Sequence, residues 1–91
     1  MRDRATERGR AMKRSLTLLR LLADGQLHER RRLAAALGVS PRTIRRDVAA
    51  LMFACVPIQE RRTSDDWGPS VAAYRLEPGE LRDWFAGAWA S

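Results

Sequence analysis

The sequence predicts a mainly α-helical fold with a small β-hairpin: a three-helix core, a two-stranded wing and a C-terminal amphipathic helix. Three observations carry that prediction. Apolar residues recur at helical spacing along the first half of the chain. The last two helical stretches of that half are separated by Gly38-Val39-Ser40 alone, room for a tight turn between helices and little else. Beyond Cys55 the spacing changes to two short extended runs joined by a turn-rich segment. A chain of 91 residues suffices for one domain with a modest core, and not for a second domain with its own pocket.

Residues 1–9, MRDRATERG, are polar and without periodicity, and read as a basic flexible tail or a frayed first helical turn. The domain itself is expected over residues 10–76. In residues 10–24, Met12, Leu16, Leu19 and Ala23 mark one helical face, and Gly25 stands where a left-handed cap would end the helix. Leu18, Leu21 and Leu22 widen the apolar surface beyond one stripe, so this helix is expected to meet two packing partners. An extended stretch at residues 26–28 leads to a second helix over residues 29–37, with Leu33, Ala36 and Leu37 inward and Gly38 at its end. Arg30, Arg31 and Arg32 crowd its start, where positive charge opposes the helix dipole. Local helix stability does not explain them; an external anion or plain solvent does.

The third helix has the clearest signature. Ser40 is a favoured N-cap, and Pro41 takes the first helical position, where its missing N–H costs nothing. Ile44, Val48 and Leu51 then make one buried stripe. At about 100° per residue, Arg42, Arg46, Ala49 and Ala50 fall on the opposite face, with Thr43 and Arg45 on its flanks. Residues 56–62 and 71–76 read as the two strands of the wing, joined through Asp65, Asp66, Gly68 and Pro69. Pro78-Gly79 breaks the chain, and residues 77–91 carry Leu81, Trp84, Phe85, Ala88 and Trp89 at helical spacing, a helix for dimerisation or for capping the core.

The formal charge is +6, and of the 17 basic residues all but Lys13 are arginine, whose planar fork suits phosphate oxygens and guanine edges. The basic charge lies in the first half, while residues 75–91 set Arg75 and Arg82 against Glu77, Glu80 and Asp83. A single cysteine and a single histidine exclude an internal disulfide and fall short of a metal site, and Cys55 reads as a small buried apolar residue. No metal, cofactor or small-molecule effector is expected. No run is apolar enough for a membrane span and the arginine-rich start lacks the features of a secretory signal, so a cytoplasmic, nucleoid-associated location is expected. No nucleophile with its base, phosphate-binding glycine loop or paired metal-binding carboxylates is present, which argues against an enzyme.

Two helices around a tight turn place the second in a DNA major groove, where residues near its start meet base edges. Arg42, Thr43 and Arg46 stand there as base contacts. Ser40, Arg45, Arg30, Arg31 and Arg32 are candidates for the DNA backbone, as are Arg61 and Arg62 from the wing. Arg2, Arg4, Arg8 and Arg10 are candidate tail contacts, along phosphates or in a minor groove. Asp47, among these arginines, is expected to pair with Arg42, Arg45 or an arginine of the second helix. His28 and Trp67 read as a surface or capping residue and a packed loop residue.

Residues 33–51, LAAALGVSPRTIRRDVAAL, resemble the signature of DeoR-type winged helix-turn-helix regulators, which also opens many bacterial WYL-domain regulators. The resemblance covers roughly residues 12–76. It implies a bacterial or phage transcription factor whose Arg42, Thr43, Arg45 and Arg46 face DNA. The family usually has glycine just before Val-Pro-Ile, where this chain has Cys55, so the turn into the first wing strand is expected to be strained or differently capped. The family also usually carries a C-terminal ligand or oligomerisation domain, and a sensing role does not transfer. The leading expectation is a repressor that binds double-stranded DNA as a homodimer through Leu81, Trp84, Phe85, Trp89, Leu18 and Leu21. A winged-helix protein-interaction or antitoxin-like module, and an architectural or recombination accessory protein, are the alternatives; the arginines of the third helix favour DNA over the former.

Overall fold

The computed structural model describes the backbone of residues 4–63 and 71–88, with side chains for residues 6–63 and 71–87. Along it run α1 (Arg4–Leu22), β1 (His28–Glu29), α2 (Arg30–Leu37), α3 (Pro41–Phe53), β2 (Ile58–Thr63), β3 (Val71–Leu76) and α4 (Pro78–Ala88). This is a winged helix-turn-helix, with one strand more than expected. The sheet order is β1-β3-β2, antiparallel throughout, with His28 opposite Tyr74 and Ile58 opposite Leu76. A strand of two residues is too short to show a period, so only its pairing with β3 reveals it.

Helix α1 begins at Arg4, not at residue 10, because residues 4–9 contain no proline and mostly helix-compatible side chains, so the helix extends through them. Its buried face also differs from the expected one. Leu18 and Leu22 are fully buried, whereas Met12 and Leu16 are 66% and 59% exposed. Leucines surround this helix, and periodicity cannot choose between two apolar faces until the partners are in place. Those partners include Leu33, Ile44, Val48, Val56, Ile58, Tyr74 and Leu76, which form one core with Leu18 and Leu22. Leu18, expected at a dimer surface, is therefore a core residue, and Leu21 packs against the same cluster.

Two left-handed glycines turn the chain. Gly25 has φ +76°, a backbone that favours glycine, and a Cβ there would press on the ring of Pro78 at 3.3 Å. Its carbonyl accepts from Arg75 Nε at 2.7 Å, and Arg75 Nη2 also donates to Glu77 at 2.8 Å, which joins the end of α1 to the start of α4. Gly38 (φ +67°) closes α2 and lets Val39 N–H return to the Ala34 carbonyl at 3.0 Å. Ser40 then caps α3, its hydroxyl accepting from Thr43 N–H at 3.1 Å.

After α3, Cys55 occupies the same left-handed region with φ +67°, the one non-glycine residue to do so among those described. Its N–H bonds the Met52 carbonyl at 2.9 Å and Val56 N–H returns to Leu51 at 3.0 Å, a helix-ending turn for which glycine is the natural residue. The strain expected at this position is present. The expected burial is not: the side chain is exposed, because a left-handed residue at a helix end projects its Cβ away from the packed face.

In α4, Leu81 and Trp84 pack against the core, and Trp84 Nε1–H donates to the Ala54 carbonyl at 3.2 Å. Phe85 meets the Trp84 ring edge-on at 5.9 Å and is 57% exposed. Two residues expected to meet a partner copy thus meet this chain's own core first. Trp89 lies outside the described residues, as do Trp67, Asp65, Asp66, Gly68 and Pro69.

Candidate nucleic-acid interface

The outward face of α3 follows from its inward one. Burying Ile44, Val48 and Asp47 turns Arg42, Arg45, Arg46 and Ala49 to solvent, where the four line a shallow groove. None of the three arginines has an acidic partner among the described residues. Thr43 is half-buried, and its hydroxyl lies 3.0 Å from that of Ser40, so both hydroxyls help build the cap that exposes the helix start.

A second groove continues this surface. It is lined by Arg30 and Arg31 of α2, Pro41 at the start of α3, and Arg62, Val71 and Ala72 of the wing. The pleat of β2 explains why Arg62 belongs to it and Arg61 does not. Alternate residues face one side, so Ile58 enters the core, Glu60 meets Arg30, and Arg62 reaches the groove. Arg61 falls on the other side with Gln59, to which its Nη2 donates at 3.4 Å.

Arg30, a candidate for the DNA backbone, is also engaged by the fold. Its Nε donates to the Tyr74 hydroxyl at 2.7 Å, its guanidinium lies 5.5 Å from the centre of the Tyr74 ring, and Nη2 approaches Glu60 at 3.4 Å. It is a strut between α2 and the wing. Arg31 and Arg32 come no nearer than 3.6 and 3.7 Å to Glu29 and are largely exposed, contacts that contribute little and leave both free for an anion.

The tail arginines divide. Arg2 and the side chain of Arg4 lie outside what is described. Arg8 and Arg10 are exposed on a helix, and two residues apart means roughly 200° apart, so they cannot follow one phosphate strand together as an extended tail would. Arg10 lines a groove with Lys13, Arg14, Thr17, Ala36, Leu37 and Val39, beside the turn that leads into α3.

Three features escaped the sequence. Asp47 is nearly buried, and its partner is not a neighbouring arginine but Arg14 of α1, whose Nε and Nη2 donate to its two carboxylate oxygens at 2.5 and 3.1 Å. The carboxylate bond holds the Arg14 guanidinium above its ordinary range. No spacing rule connects residues 33 positions apart. His28 Nε2 lies 2.9 Å from Asp24, which together with the Gln26 N–H lowers the Asp24 pKa. The outer face of α1 carries the exposed Met12 and Leu16 between Gly9, Lys13, Thr17 and Arg20. No group of three metal-binding side chains occurs among the described residues, and no helix there is long and apolar enough to cross a membrane.

Comparison with known proteins agrees with this architecture. The fold resembles that of a solved structure described as a "Possible transcriptional regulator from Methanosarcina mazei Go1", with a TM-score of 0.59 and 18% identity over 88% of this chain and 68% of that one. No curated protein sequence matches the chain. The profile of a helix-turn-helix family, described as HTH domain, matches residues 14–64, more than half of the chain and the segment from Arg14 through α2, α3 and β2. The chain belongs to the HTH domain family.

Proposed function

We propose that the protein is a transcriptional regulator that binds a specific double-stranded DNA sequence, with α3 in the major groove, and represses by occupying its operator. The observation that carries this reading is the outward row Arg42, Arg45 and Arg46, without acidic partners among the described residues, continued by Arg31 and Arg62 along the adjoining groove. Arg42 and Arg46 fork onto guanine edges and Thr43 touches a base beside them. Ser40, Arg45, Arg31, Arg32 and Arg62 hold the backbone. The structural likeness to a possible transcriptional regulator and the DeoR-like segment at residues 33–51 support the same reading. Selecting bound sequences from random duplex DNA tests it: a consensus of a few base pairs per recognition helix is expected, and enrichment of no sequence refutes it.

The protein acts as a homodimer in this reading, since one recognition helix spans only a few base pairs. Exposed apolar side chains remain for a partner copy: Phe85 on α4, Phe53 (92% exposed) and Met52 at the end of α3, and Met12 and Leu16 on α1. Dimeric binding predicts a consensus with twofold symmetry and half-sites about one helical turn apart.

A further inference from the structure

We infer that Arg14 and Asp47 are positioning residues for base recognition, fixing the rotation of α3 so that Arg42 and Arg46 meet the major groove at one angle. The inference rests on the DNA reading above and deepens it. Asp47 follows Arg46 directly, yet it points about 100° away, into the body of the protein. There both carboxylate oxygens are held by one guanidinium from the middle of α1.

A forked contact fixes more than a distance. Two parallel bonds resist both sliding and turning of the carboxylate, and through it of the helix that carries it. The apolar contacts of Ile44 and Val48 resist separation of α3 from the core but are non-directional, so they define depth better than rotation. Base recognition is sensitive to rotation, because a forked arginine must be held within roughly 10–20° of its productive orientation. Contact with phosphates is not: an exposed arginine finds a nearby oxygen from many poses, and that part of the affinity follows charge. The pair therefore acts on specificity and leaves non-specific affinity alone. It also neutralises an acid that stands one residue from Arg46.

The test is Arg14→Lys, which keeps the charge and loses the fork. Affinity is measured at matched salt for the selected sequence and for a random duplex, with Ile58→Val, a core change on the wing side, as the control for lost stability. Expected are a roughly tenfold loss on the selected site, an unchanged affinity and salt slope on the random duplex, and amide residual dipolar couplings of free Arg14→Lys that require a reoriented α3. The inference is overturned if the ratio of the two affinities is unchanged, whether or not α3 moves. It is equally overturned if both affinities fall together as in Ile58→Val. A parent chain with no preferred sequence overturns the DNA reading and this role with it, whereas a preferred sequence with an unchanged ratio overturns this role alone.

Discussion

Replacing Cys55 by glycine isolates one backbone cost. With φ +67°, the cysteine Cβ crowds its own backbone, at a cost of about 1–2 kcal/mol for a side chain held in the left-handed region. The thiol is exposed, so its removal sacrifices little burial. Glycine loses more freedom on folding, which offsets roughly 0.5–1 kcal/mol of the gain. The central balance is a stabilisation of about 0.75 kcal/mol, which in a domain of this size raises the melting temperature by roughly 3–6 °C. Thermal unfolding followed by circular dichroism, under reducing conditions, measures it. Cys55→Ala is the control, since it removes the sulfur but keeps the Cβ, and it should melt close to the parent. If alanine stabilises as much as glycine, the sulfur and not the backbone is responsible; if glycine does not stabilise at all, the strain argument is wrong.

Arg42→Ala and Arg46→Ala are each expected to weaken the selected site by about 1–3 kcal/mol and to broaden its consensus while the fold is retained; equal affinities of parent and variant at matched salt would remove these residues from the reading face. Arg30→Ala leaves the buried Tyr74 hydroxyl without its donor and should cost about 1–3 kcal/mol of stability with no change in the salt dependence of DNA binding, whereas Arg62→Ala should lower the salt slope by about 1 and leave the melting temperature alone; exchanged outcomes would reverse the two roles. Asp24 titrates below its ordinary value of 3.8, so its contribution is present above that value and is lost as the pH falls through the lowered one; the gap in melting temperature between parent and Asp24→Asn should close on acidification, and a gap that persists in strong acid contradicts the assignment. Light scattering at tens of micromolar should find a dimer for the parent and a folded monomer for Phe53→Glu/Phe85→Glu; a monomeric parent would end the dimer proposal.

Much of the architecture follows from local chemistry and was legible in the residues. Ser40-Pro41 favours the start of a helix, Gly38 favours the end of one, and the stripe Ile44, Val48 and Leu51 determined which arginines of α3 face outward. The strained turn at Cys55 was expected from the family resemblance, in which glycine usually stands at this position. What tertiary structure decided are the matters in which neighbours distant in sequence compete for one side chain. The leucines of α1 offered two apolar faces, and packing against Ile44, Val48 and Tyr74 chose Leu18 and Leu22 and left Met12 and Leu16 outside. Arg30 and Arg31 are chemically identical neighbours. The Tyr74 ring and hydroxyl engage the first, while the second stays largely exposed. Asp47 follows Arg45 and Arg46 directly and took instead Arg14, because burial of its face of α3 turned it away from them and toward α1. A residue's type states what it can bind, and local periodicity states which way it points. Which of several equivalent partners arrives there is a property of the packed whole.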